Sequence, residues 1–135
     1  MKLISPSVIE QTDEGLQLYG GRSRETGDIV FPMPEGGEAD RFQRTPLKSE
    51  GKLWSYTVQR FPPKSPPFLG PNTPETFKPF ALGYVELEGQ VIVETRIVSD
   101  DFEALKVGLP MQLTTTEFMV DEAGDPVHTY AFTPA

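Results

Sequence analysis

A single histidine, His128, and the absence of cysteine limit the chemistry this 135-residue chain can do. Without a thiol there is no thiolate nucleophile, no disulfide and no sulfur ligand for a metal. A Ser-His-Asp triad would have to use His128, and no Gly-x-Ser-x-Gly elbow accompanies it. The residues around His128 read as the last strand, so it is expected as a strand side chain near the barrel surface. Two carboxylate pairs, Asp100-Asp101 and Asp121-Glu122, are of the type that general acid–base catalysis uses. They stand at the start of a short helix and in a turn, where carboxylates cap backbone N–H groups in solvent. Gly20-Gly21 and Gly36-Gly37 do not open a helix after a buried strand, so neither reads as a phosphate loop. No catalytic residue and no metal ligand are assigned.

Recognition chemistry concentrates between Arg60 and Phe80. Pro62, Pro63, Pro66, Pro67, Pro71, Pro74 and Pro79 exclude a helix or a central strand there. The same segment holds Phe61, Phe68, Leu69, Phe77 and Phe80, more large apolar groups than a solvated loop carries. These five are the candidate partner-binding residues, since proline lowers the entropy lost when such a segment docks. The competing reading is that the loop folds back and closes one end of the barrel. Arg60, Lys64 and Lys78 are cations available to phosphate groups, although they are scattered. Trp54 and Tyr56 alternate with Val58 on one strand face, as stacking platforms for bases or as core.

The elements that must position these groups are short. Residues 1–17 read as an irregular arm ending in a turn. Leu16–Tyr19 and Ile29–Phe31 are short strands able to form a hairpin, with Gly20, Gly21 and Gly27 allowing the turn. Residues 32–50 are polar and rich in glycine and proline, the composition of a loop. From Gly51 the alternation becomes clear: strands over Leu53–Phe61, Phe80–Leu87, Val91–Val98, Met111–Val120 and Val127–Phe132. Glu88-Gly-Gln90 makes a hairpin of the second and third. A short helix over Ser99–Leu105 joins the third and fourth. That order predicts an all-β fold, a five-stranded OB barrel over residues 51–135, preceded by an arm and hairpin over residues 1–50.

Net charge is −8, with 6 basic against 9 acidic side chains in residues 1–50 and 6 against 11 in residues 51–135. Neither half offers the basic surface that nucleic-acid binding needs, so no nucleic-acid partner is expected. The charge likewise favours core packing, or a face covered by the hairpin, for Trp54 and Tyr56. No apolar run reaches membrane-spanning length and Met1-Lys-Leu-Ile-Ser-Pro lacks a signal-peptide core, which together predict a cytoplasmic protein.

Four pieces in order carry a family resemblance. Gly51-Lys-Leu-Trp-Ser-Tyr-Thr-Val58 is the most specific. It is followed by Ala81-Leu-Gly-Tyr-Val-Glu-Leu-Glu-Gly89, Val107-Gly-Leu-Pro-Met-Gln-Leu113 and Tyr130-Ala-Phe-Thr-Pro134. Upstream, Ser23, Thr26 and Gly27 stand where a zinc knuckle has Cys-x-x-Cys-Gly, and Phe31-Pro32 follows. The chain resembles the acyl-CoA-associated OB-fold family, in which a rubredoxin-like zinc ribbon precedes the barrel. A tetrahedral thiolate site is absent here, so the resemblance implies a ribbon that has lost its metal. It also implies a non-catalytic accessory subunit, without cofactor, in a hetero-oligomer of lipid or steroid metabolism. The expected partner is a thiolase-like, aldolase or hydratase-like protein, and activity on acyl-CoA belongs to the complex. Arg60, Lys64 and Lys78 are then the candidates for contact with CoA phosphates. A stand-alone OB module that binds single-stranded nucleic acid or another ligand is the alternative.

Overall fold

The computed structural model describes residues 2–60 and 79–135. Before the barrel run β1 (Lys2–Leu3), β2 (Ile9–Thr12), β3 (Gly15–Ser23), β4 (Ile29–Val30) and β5 (Phe42–Pro46). The barrel is built from β6 (Glu50–Gln59), β7 (Phe80–Leu87), β8 (Val91–Ile97), β9 (Pro110–Val120) and β10 (Pro126–Pro134). Two 3-10 helices, Gly36–Arg41 and Phe102–Ala104, complete the described elements.

The barrel closes in the order β6-β7-β8-β10-β9, and β9 returns to β6. All these pairings are antiparallel except β8–β10, which is parallel. This is the all-β OB architecture expected from the strand order. Period-two alternation drives it. In β7, Ala81, Val85 and Leu87 are fully buried while Tyr84 and Glu86 face solvent. In β8, Val93, Thr95 and Ile97 turn inward.

The strand β6 departs from the sequence expectation. Its register against β7 shifts between Leu53 and Ser55, with Leu53 opposite Val85 and Ser55 opposite Tyr84. One extra residue in a bulge reverses the facing of everything beyond it. Leu53 and, past the bulge, Tyr56 and Val58 therefore pack on the core, while Trp54 is 55% exposed. Trp54 does not share a face with Tyr56 and Val58, and no hairpin covers it.

The helix expected over Ser99–Leu105 is a single 3-10 turn, Phe102–Ala104. Asp101 caps it by accepting the N–H of Glu103 at 3.0 Å. Leu105 then leaves the helix in an extended conformation and is buried, and its carbonyl accepts the Tyr56 hydroxyl at 2.8 Å. Placing Leu105 in the core ends the helix after one turn.

The N-terminal part has more regular structure than its composition suggests. The arm contains two strands: β1 lies parallel to β10, with Lys2 opposite Val127, and β2 pairs with β3. Residues 32–50 are not a simple loop, because β5 pairs with β3 from Tyr19–Pro46 to Ser23–Phe42. A hairpin of β3 and β4 forms, but not between the expected residues: Gly21 is opposite Val30 and Arg22 opposite Ile29, while Leu16–Leu18 pair with β2 instead. Gly20 and Gly21 lie inside β3 rather than in its turn. A Cβ on Gly20 would stand 2.6 Å from the Val30 carbonyl oxygen, so a close strand approach explains that glycine. The turn uses Gly27, at φ +80°.

Ile9, Leu18 and Leu47 join Leu53, Val85, Val93, Met111, Phe132 and their neighbours in one buried cluster. Buried residues on both sides of position 50 thus meet in the same core.

Candidate binding groove

A groove of about 410 Å³ opens where β8 and β10 part. Strand pairing between them covers only Ala131–Arg96 and Phe132–Ile97. The start of β10 pairs instead with β1, at Val127 and His128. The backbone at Thr129 and Tyr130 is left between these two contacts, and both residues line the groove.

Its walls come from distant parts of the chain. Phe31, beyond the end of β4, meets Tyr130 edge-on, with ring centroids 5.2 Å apart. The Tyr130 hydroxyl donates to the Glu94 carbonyl at 3.2 Å. Burial first, and the Glu94 charge second, push the Tyr130 phenol above its ordinary pKa. Leu82 of β7 also lines the groove, opposite Arg96 in the strand register. Phe118 of β9 lines it as well. It is the extra residue of a bulge, since Val127 faces Met119 and His128 faces Glu117, and it is 51% exposed. With Met119 and Val120 it makes an apolar end to β9.

Arg96 and Glu94 are the charged side chains lining the groove among the described residues. The Arg96 guanidinium lies 4.0 Å from the Phe80 ring centroid. Partial burial lowers its pKa from the ordinary arginine value. The Glu94 carboxylate instead accepts a long bond from the Tyr84 hydroxyl at 3.4 Å. Tyr84 in turn meets Trp54 edge-on at 6.1 Å, so an exposed aromatic pair flanks the Glu94 end. A wider cleft of about 790 Å³ beside Lys48, Lys52, Glu86 and Glu88 is polar. Apolar walls with a few converging polar groups favour the first groove as a binding site.

Of the sequence-derived candidates, Phe61, Lys64, Phe68, Leu69, Phe77 and Lys78 lie outside the described residues. Phe80 stacks against the Arg96 guanidinium and is not itself among the residues lining the groove. Arg60 is paired with Glu103 at 3.3 Å on the surface. His128 is half-buried, and its Nδ1 has no hydrogen-bond partner among the described residues. Asp121 accepts the N–H groups of Ala123 and Asp125, both at 2.9 Å, and is bonded by Lys2. These bonds hold its carboxyl below the usual range, with Lys2 the largest cause. It is a turn-capping group tied to the N-terminal arm. Sequence reasoning missed Phe31, Glu94, Arg96, Phe118 and Tyr130 as a group. The available signal was Glu94 and Arg96, two charges on the outward positions of a strand whose other residues, Thr95 apart, are apolar.

The knuckle position keeps its turn without sulfur. Ser23 Oγ accepts the N–H of Glu25 at 3.3 Å and of Thr26 at 3.1 Å, and Thr26 Oγ1 accepts that of Asp28 at 3.2 Å. Among the described residues no group of three or more His, Asp or Glu side chains is placed to hold a metal. Ser23→Ala is expected to lower stability by about 0.5–1 kcal/mol. Added zinc is expected to leave the melting temperature of either form unchanged. Calorimetric melts with and without zinc check both, and a zinc-induced rise would count against a metal-free turn.

A closed barrel in this order, preceded by a hairpin unit, defines an OB-fold protein. Residues 44–116 match the family described as ChsH2, C-terminal OB-fold domain, and the chain belongs to that family. This is the acyl-CoA-associated OB-fold family that the sequence resembles. The chain is also 28% identical over 126 residues to a DUF35 domain-containing scaffold protein of Pyrococcus furiosus. That alignment covers 90% of this chain and 85% of its relative. Among solved structures, a chain of the Ltp2-ChsH2(DUF35) aldolase superposes with a TM-score of 0.59 at 21% identity. It covers 87% of this chain and 84% of its own, a likeness of fold.

Proposed function

We propose that this chain is a non-catalytic subunit of an enzyme complex that acts on acyl-CoA thioesters. The observation that carries the reading is likeness along nearly the whole chain, hairpin unit included, to a protein named as a scaffold. The fold likeness to a chain of the Ltp2-ChsH2(DUF35) aldolase is consistent with it. With one histidine and no cysteine, thiolase-type chemistry has to come from a thiolase-like, aldolase or hydratase-like partner. In this reading the subunit helps form or bridge the channel for the CoA thioester. Phe61, Phe68, Leu69, Phe77 and Phe80 contact the partner, and Lys64 and Lys78 approach CoA phosphates. Arg60 has first to release Glu103.

The test is co-expression with an enzyme of one of these classes encoded beside it. The expected result is a stable hetero-oligomer that turns over an acyl-CoA, while the isolated chain does not. Phe68→Ala and Phe77→Ala are each expected to weaken the complex by about 1–3 kcal/mol. Turnover by the isolated chain overturns the reading. So does salt-sensitive binding of single-stranded DNA or RNA at physiological ionic strength, which favours the nucleic-acid module instead.

A further inference from the structure

Arg96 is the unusual group of the groove. It is half-buried on an acidic protein, and no carboxylate among the described residues pairs with it. Its described contact is the face of Phe80. Taking a guanidinium partly out of water without an anion is unfavourable, and an incoming carboxylate would relieve that cost. Apolar side chains line the same groove: Leu82, Phe118, and Phe31 edge-on to Tyr130. The groove also runs along the gap where β10 has lost β8 as a neighbour, a shape suited to an extended chain.

We infer that this groove seats an extended, apolar segment of the partner subunit, one acidic side chain of which pairs with Arg96. The inference rests on the accessory-subunit reading for the identity of the partner. Charge decides between a peptide and the coenzyme. Arg96 is the one cation among the described residues that line the groove, so a single carboxylate can pair with it directly. The further phosphates of coenzyme A would meet apolar walls and the like charge of Glu94. A single carboxylate between apolar neighbours fits the groove.

The isolated, isotopically labelled chain is titrated with acetyl-Leu-Glu-Leu-amide, with its Gln counterpart, and with inorganic pyrophosphate, following amide resonances. Expected are shifts centred on Leu82, Glu94, Arg96, Phe118 and Tyr130 with the Glu peptide. Affinity is expected to fall several-fold with the Gln peptide and in Arg96→Gln. Pyrophosphate is expected to produce no localised shifts. Phe118→Ala, at an exposed position that leaves the fold intact, is expected to weaken the Glu peptide as well. Melting curves of both variants establish that they are folded. Equal binding of the Glu and Gln peptides, displacement of peptide by pyrophosphate, or absence of shifts at millimolar peptide overturns the inference.

The same variants are then placed in the co-expressed complex, where Arg96→Gln and Phe118→Ala are each expected to weaken association several-fold. A complex that forms normally with both variants overturns the groove and leaves the accessory-subunit reading standing. Peptide shifts at the groove in a chain that joins no enzyme overturn the accessory reading and leave the groove's chemistry standing.

Discussion

Phe132→Ala is expected to destabilise the protein by about 3–5 kcal/mol, the range for removing a large buried aromatic. Phe132 is fully buried in β10, opposite Leu113 of β9 and Ile97 of β8. It stands where the parallel β8–β10 pairing closes the barrel, with both neighbouring strands anchored to it. The Val98 N–H donates to its carbonyl at 2.9 Å, fastening the crossover segment to the same residue. A small domain has about 5–15 kcal/mol of total stability, so the variant would lose a large share of it. The measurement is the midpoint of urea unfolding followed by circular dichroism. A loss under about 1 kcal/mol would mean that the barrel closes without this side chain.

Gly51→Val is expected to cost at least about 3 kcal/mol, for the opposite reason: there is no space to add atoms. A Cβ at Gly51 would stand 2.4 Å from the Glu86 carbonyl oxygen, 2.9 Å from Val85 Cγ1 and 3.0 Å from Leu87 Cδ2. The first of these atoms is backbone and cannot swing away. Gly51 sits where β6 passes from β9 to β7: it is opposite Met111, and Lys52 is opposite Glu86. A side chain there would pry open the seam that closes the sheet. Gly37→Ala is the control, with nothing within 4 Å of its Cβ, and is expected to change stability by less than about 0.5 kcal/mol. Parallel unfolding curves decide the point, and equal effects at the two glycines would contradict the seam argument.

The barrel was legible because alternation is local. Phe80–Leu87 and Val91–Ile97 follow the period of two almost residue by residue, and Glu88-Gly-Gln90 marks their turn. The bulge at Trp54 was not legible, because an extra residue leaves no mark in composition and only the register against β7 shows it. The strand β5 was hidden by prolines and glycines around it, and its pairing with β3 is a long-range contact. The groove was the least legible feature. Phe31, Arg96, Phe118 and Tyr130 meet only because a hairpin, a parallel strand pair and a second bulge bring them together. The proline-rich segment drew attention by composition, and of its candidate residues Phe80 touches Arg96, one of the groove's lining residues.

The sharing of one core by Ile9, Leu18, Leu47 and Phe132 has a consequence for biogenesis. Chains emerge from the ribosome N-terminus first. Ile9 and Leu18 therefore leave the exit tunnel long before the strand carrying Phe132 exists to cover them. The closing pairs, Lys2 with Val127 and Gly51 with Met111, also join residues far apart along the chain. Such high contact order slows folding, toward the millisecond-to-second range of non-local β proteins. The nascent N-terminal hairpins therefore keep Ile9 and Leu18 without their final cover until the last strand is released.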